Sequence, residues 1–179
     1  GFVLLGLSSF TIEGLNGALL QMFNHGIITG GMFLLVGVLY DRAHTRDLTA
    51  FGGLSATLPV YAGILTFFSL ASLGLPGLSG FVSEFLSLVG TYGTWHWQTV
   101  VSVLGIVVTA AYMLTALQRI LLGPLNQKWA SLPDMRRAEV ATLVPLLLIV
   151  VVVGVYPLWV LQWQQPALEA LLRHVGGHP

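Results

Sequence analysis

The stretch Leu70-Ala71-Ser72-Leu73-Gly74-Leu75-Pro76-Gly77-Leu78-Ser79-Gly80-Phe81-Val82-Ser83-Glu84-Phe85 decides the fold. It lies inside one apolar run from about Leu58 to Gly93. About 35 helical residues make roughly 50 Å of helix, whereas crossing about 30 Å of hydrocarbon takes roughly 20. The run must tilt strongly or break. Pro76 removes a backbone donor and clashes with the preceding turn, and Gly74, Gly77 and Gly80 let the chain unwind around it. A break at membrane depth is tolerated only where protein or a wet cavity satisfies the freed backbone groups. Such breaks recur at ion sites in transporters. Two short buried helices joined by a plain loop account for the same residues without any function.

Working outward, three more runs are long enough to span: about Leu15 to Tyr40, Trp97 to Leu122, and Val140 to Trp163. Residues Gly1 to Phe10 read as the tail of an earlier span, and Pro166 to His174 as a short interfacial helix. Hydrophobic residues make up 55% of the chain and charged residues 8%, against about 25% charged in a soluble domain. So little charge cannot cover a surface facing water. The expectation is an all-α polytopic membrane protein, one membrane domain over residues 1–179, with about four full spans plus the end of a fifth. Gly1 opens inside an apolar segment, without Met or a basic leader, so it reads as an internal start.

Charge excludes several functions. The formal net charge is zero, and no basic patch is dense enough to neutralise a nucleic-acid backbone. There is no cysteine, hence no disulfide, thiolate catalysis or iron–sulfur ligation by this chain. No His, Asp or Glu pair has metal-ligand spacing on one helix face. No nucleophile triad, phosphate loop or dinucleotide fingerprint occurs. Six of the seven Lys and Arg residues fall on one side by alternation: Arg42, Arg46, Arg119, Lys128, Arg136 and Arg137. The positive-inside rule makes that side cytoplasmic and puts the C-terminus, with Arg173, outside. Trp95, Trp97, Trp159 and Trp163 fall at expected outer ends, as an aromatic belt would.

Ionisable groups far from a helix end carry the chemistry, because a charge at the bilayer centre costs several kcal/mol. Glu84 lies about a turn past the break and, at roughly 14 Å from the outer end, near the midplane. A carboxyl there can load and release a proton as its surroundings change; a neutral, hydrogen-bonded structural Glu is the alternative. His25, in Gln21-Met22-Phe23-Asn24-His25-Gly26, sits at similar depth and can pass a proton between its two nitrogens. A core histidine bonded to a carbonyl is the plainer account of it. Asn24, Thr29 and Ser83 are candidates for holding bridging waters. His44 sits in the basic loop, where it either aids proton entry or is simply solvated. His96, His174 and His178 are expected at the outer surface. Gly26, Gly30, Gly31 and Gly37 suit close helix packing.

The string Gln21 to Gly26, continuing through Gly31-Met32-Phe33-Leu34-Leu35-Val36-Gly37-Val38-Leu39-Tyr40-Asp41-Arg42 to His44-Thr45-Arg46-Asp47, resembles a known family. So does Leu70 to Gly77 followed by Gly80-Phe81-Val82 and Glu84-Phe85. Both resemble the M-type (chain 4) antiporter-like subunit of respiratory complex I, the proton-pumping NADH:quinone oxidoreductase. The resemblance is strongest from Gln21 to Phe85 and thin after Pro124. It implies the C-terminal half of a fourteen-helix antiporter-like fold, from the end of helix ten through helix fourteen, with helix twelve broken. It equates Glu84 with the family's helix-twelve carboxylate, which ends the proton path toward the outside. It equates His25 with the helix-eleven histidine of a central hydrated axis. The sister L-type subunit usually has lysine at the positions of Glu84 and Thr29, so both residues favour the M-type. The family's other charged proton sites are expected upstream of Gly1.

The resemblance implies a subunit of a translocating oxidoreductase in an energy-coupling membrane, such as a bacterial plasma membrane. It implies no redox centre or cofactor in this chain. NAD(H), FMN, iron–sulfur clusters and quinone belong to partner subunits. Partners are other membrane-arm subunits and lipid, with no nucleic acid. Two rivals remain: the D-type subunit of a multisubunit Na+/H+ antiporter, and a structural membrane subunit of a related hydrogenase.

Overall fold

The computed structural model describes residues 1–175; His178 lies outside the described residues. Among these, seven α-helices and three short 3-10 turns occur and no strand. The helices are α1 (Phe2–Ser9), α2 (Ile12–Ala43), α3 (Pro59–Ser72), α4 (Ser79–Tyr92), α5 (His96–Leu121), α6 (Arg137–Val155) and α7 (Leu158–Val175). By length and composition, α2, α5 and α6 are each able to cross a membrane. The pair α3 and α4 replaces the overlong apolar run with two helices of 14 residues each.

One expected element differs. The run Val140 to Trp163 is not a single helix, and α7 is not confined to Pro166–His174. Helix α6 stops at Val155, and α7 starts at Leu158 and covers 18 residues. The residue before a proline is pushed out of the α region, and Tyr156, ahead of Pro157, has φ −129° and ψ 68°. Helix α7 then builds on the Pro157 carbonyl, which accepts from Val160 and Leu161 N–H.

Helix α2 is the hub, packed by α1, α3, α4, α6 and α7. Helices in lipid gain nothing from escaping water, so they associate through tight packing, which small residues permit. A Cβ on Gly6 would strike the Gly14 carbonyl, and one on Gly17 would strike Ser87. Gly31 lies against the Phe68 ring. Gly26, Gly30 and Gly37, expected to serve close helix packing, do not do so; nothing among the described residues comes within 4 Å of a Cβ built on any of the three. Their stripe faces outward from α2, with Phe33 at 72% exposure. The core between α2, α3 and α6 is apolar, with Leu35, Leu58, Phe68 and Val150 fully buried. By contrast, α5 presents Val103, Leu104, Val107 and Val108 outward, a surface suited to lipid or to protein rather than to water.

The two basic loops meet at one end of the bundle. The Arg42 guanidinium donates to the Pro133 carbonyl (2.9 Å), the Val38 carbonyl (2.8 Å) and Glu139 Oε2 (2.7 Å). Asp134 caps α3 from the other loop: its carboxylate accepts from Val60 N–H (2.8 Å) and Tyr61 N–H (3.2 Å). Trp129 closes the loops, donating Nε1–H to the Ala50 carbonyl at 2.8 Å and stacking obliquely on Phe51.

Candidate functional site

The site is built by the way α3 ends. Gly74, with φ +70°, takes the left-handed conformation that closes a Schellman motif. Its N–H bonds back to the Ala71 carbonyl (3.3 Å) and the Leu75 N–H to the Leu70 carbonyl (3.1 Å). Pro76 follows, where a helix cannot continue. Gly77, with φ +93°, turns the chain again, and α4 begins at Ser79 with no side-chain cap. The break therefore satisfies carbonyls of α3 locally, while no side chain caps the first amides of α4.

Glu84, on the second turn of α4, reaches back into that elbow. A Cβ on Gly74 would meet its Oε2, so glycine there serves both the backbone turn and the carboxyl. Glu84 is half-buried and has no ion-pair partner among the described residues. Two hydroxyls flank the break, Ser69 on the last turns of α3 and Ser79 at the start of α4. Both oxygens are buried without a hydrogen-bond partner. Buried hydroxyls of this kind are where ordered water binds.

Beside the elbow, α2 and α4 are joined by a polar seam. Asn24, only 1% exposed, donates Nδ2–H to the Ser79 carbonyl (2.7 Å) and to Ser83 Oγ (3.0 Å). The Ser83 hydroxyl is within reach of Gln21 Oε1 (2.5 Å) and the Gly80 carbonyl (3.0 Å) as acceptors. Four of the expected groups thus converge here: Glu84, Ser83, Asn24 and the break formed by Gly74, Pro76, Gly77 and Gly80. Gln21, Ser69 and Ser79 join them although the sequence reading did not single them out. Gln21 precedes His25 by four residues, and one turn of helix puts the two on one face.

His25 is exposed on α2. It pairs with Thr29 Oγ1, 3.3 Å from Nδ1, and with Gln21 lines an open groove of about 320 Å³ against Gly1, Phe2 and Val3. No hydrogen bond joins it to Glu84 among the described residues. Gln21 is the residue shared between the His25 groove and the buried seam. His44 belongs to neither. It is the left-handed C-cap of α2 (φ 52°), its N–H on the Tyr40 carbonyl at 2.8 Å, about 28 Å along the helix from His25.

Residues 1–111 match the family model described as NADH:quinone oxidoreductase/Mrp antiporter, TM. The chain belongs to this family. It is 39% identical to NADH-quinone oxidoreductase subunit M of Rhodobacter capsulatus, over 97% of this chain and 34% of that protein. It is 36% identical to NADH-ubiquinone oxidoreductase chain 4 of Marchantia polymorpha, over 97% of this chain and 35% of that one. Among solved structures it resembles a chain of respiratory complex I from Thermus thermophilus with bound NADH. The TM-score is 0.91 and the identity 34%, covering 96% of this chain and 36% of that one. The chain thus spans about a third of the length of the curated relatives it matches. Its similarity to the M-type, chain 4 subunits is as the Gln21–Phe85 motifs led us to expect, and it is an integral membrane protein of that family.

Proposed function

We propose that this chain works as the C-terminal part of a proton-translocating, M-type membrane subunit of complex I. The observation that carries the reading is the Glu84 carboxyl. It has no ion-pair partner and lies against a helix break midway along the bundle, and that break is flanked by two buried hydroxyls without partners. A group bound so loosely to protein changes its proton occupancy when a nearby charge changes.

In this reading the loops around Arg42 and Lys128 face the cytoplasm and the C-terminus lies outside. Protons arrive from the cytoplasmic side along hydrated polar groups, with His25 and Thr29 at the groove and Gln21 leading to the seam. Water on Ser69 and Ser79 carries the proton to a Glu84 carboxyl oxygen. A change of charge in a neighbouring subunit then favours the carboxylate, and the proton leaves outward. Electron transfer from NADH or ferredoxin to quinone, through FMN and iron–sulfur clusters, takes place in partner subunits. The residues here do not fit those groups: the sequence offers no cysteine and no glycine-rich nucleotide loop. Other membrane-arm subunits, including antiporter-like neighbours, and lipid cover the outward faces of α2 and α5.

The test is Glu84→Gln in the full-length subunit. Glutamine keeps the shape and removes the titratable proton. In inverted vesicles with an assembled complex, proton pumping and coupled turnover are expected to collapse. Normal values for both in an assembled complex would make Glu84 structural and sink the path. Because the family also contains Mrp antiporter subunits, copurification is a second test. Flavin and iron–sulfur subunits are expected to come with this chain, and sodium-dependent proton exchange without them would favour the antiporter.

A further inference from the structure

The joint between α6 and α7 touches the joint between α3 and α4. Gly154 is the next-to-last residue of α6. A Cβ built on it would strike the Gly77 carbonyl oxygen and lie 2.5 Å from both the Cα and the carbonyl carbon of Leu78. These are backbone atoms, so no side-chain rotation relieves the clash. Gly77 holds φ +93°, and Leu78 is the N-cap from which α4 starts. Just behind Gly154, Val150 and Val153 are fully buried, so the last turns of α6 have little room to retreat. Just ahead of it, Tyr156 and Pro157 end the helix.

We propose that Gly154 is a positioning residue for Glu84: the α6–α7 joint seats on the α3–α4 joint and fixes where α4 begins. Glu84 lies five residues after Gly80's neighbour Ser79, on the second turn of that helix, so a displaced start carries its carboxyl away from Gly74. Only the functional consequence of this contact rests on the reading of Glu84 as a relay group. The contact itself is geometric. Titratable side chains on the elements packed against α4 are Glu13, His25, Tyr40, Asp41 and Arg42 on α2, Tyr61 on α3, His96, Tyr112 and Arg119 on α5, and Glu139 and Arg137 on α6. None forms an ion pair with Glu84, so a change at Glu84 in a Gly154 variant reports its own placement.

The experiment uses the assembled complex with Gly154→Ala in the full-length subunit. Gly63→Ala is the control, since it adds the same methyl to α3 where nothing lies within 4 Å. Two quantities are read. One is protons pumped per turnover. The other is the infrared carboxyl band of Glu84, recognised as the band that Glu84→Gln abolishes, followed against pH. Gly154→Ala is expected to shift the pH midpoint of that band and to lower pumping by about tenfold, the scale on which a small misplacement of a reacting group acts. Gly63→Ala is expected to do neither. A band and pumping yield unchanged by Gly154→Ala overturn the proposal. If that variant does not assemble, Pro157→Ala, which loosens the same joint without adding an atom against Gly77, gives the same reading: an unmoved band overturns it. If Glu84→Gln leaves pumping intact, the relay reading falls on its own, and the band still decides whether Gly154 positions Glu84.

Discussion

Two polar clusters interrupt this otherwise apolar chain, and they are built on opposite plans. At the end where the basic loops meet, Arg42 and Asp134 are both answered. The Arg42 side chain is 9% exposed and carries Glu139 and three carbonyls, and the Asp134 carboxylate holds the first amides of α3. Midway along the bundle, the break is incomplete. The Ser69 and Ser79 hydroxyls are buried without partners, and Glu84 faces Gly74 without a counter-ion. Burying an unsatisfied polar group costs about 1–3 kcal/mol. Asn16 Oδ1, Ser87 Oγ and Gln164 Oε1 share that state away from the break, so what distinguishes the break is that its two hydroxyls bracket the turn against which the Glu84 carboxyl lies. On the proposed reading, the difference separates groups that hold the helices together from groups that exchange protons and water.

The largest effect expected from breaking this comparison is at the break. Glu84→Gln removes a proton site but no structural partner, so pumping is expected to be lost while the thermal midpoint of the complex stays within a degree or two of the parent. A large drop in thermal midpoint would mean that Glu84 is a satisfied structural group and that the two clusters follow one plan.

The cluster around Arg42 and Asp134, a clasp between the two basic loops, is expected to behave in the opposite way. Arg42→Met removes the guanidinium that donates to Glu139 and to the carbonyls of Val38, Pro133 and Asp134, leaving Glu139 with only the Arg136 amide, at a cost of about 2–3 kcal/mol. Assembly of the complex, measured by native electrophoresis of membranes, is expected to fall. The complexes that do assemble are expected to pump with a normal ratio of protons to electrons. A normal yield of complex with a reduced ratio would place Arg42 in the proton path instead.

Asn24 is intermediate, because it stands next to the site yet has both of its amide hydrogens bonded. Asn24→Ala removes donors to the Ser79 carbonyl and Ser83 and is expected to cost about 1 kcal/mol, seen as a lower thermal midpoint with pumping only mildly reduced. Loss of pumping with no change in stability would move Asn24 from the seam into the relay.

How far these clusters were legible in the sequence depended on distance along the chain. The break was legible because all its parts are local: a proline, three glycines and an apolar run too long for one span. Glu84 was legible for the same reason, lying eight residues beyond Pro76. The seam was legible only in part, since Gln21 acquires its meaning from Ser83, 62 residues away. The α6–α7 joint was missed. Proline alone does not mark it, because Pro145 and Pro166 stay inside α6 and α7. What sets Pro157 apart is that the chain ahead of it meets the backbone of Gly77 and Leu78, a contact no local pattern announces. His25 was placed correctly on α2, but its exposure depends on what lies across the groove from it.

The smallest effect tests the comparison at its margin, in the loop that follows α2. Asp47 accepts from the Thr49 amide (2.9 Å) and hydroxyl (2.8 Å), and those two hydrogen bonds, the backbone one foremost, hold its carboxyl below the usual carboxylate range. A carboxyl whose value is lowered by folding contributes stability that is fully present above its unfolded value. That contribution is lost as pH falls through the lowered one. Asp47→Asn is therefore expected to leave the thermal midpoint at neutral pH slightly lower and to flatten its decline on the acid side. The side chain is fully exposed, so water screens the contribution and the change is expected to be near the limit of measurement. A parent and variant with parallel acid limbs would show that this cap, unlike Asp134 beneath the other loop, carries none of the clasp's stability.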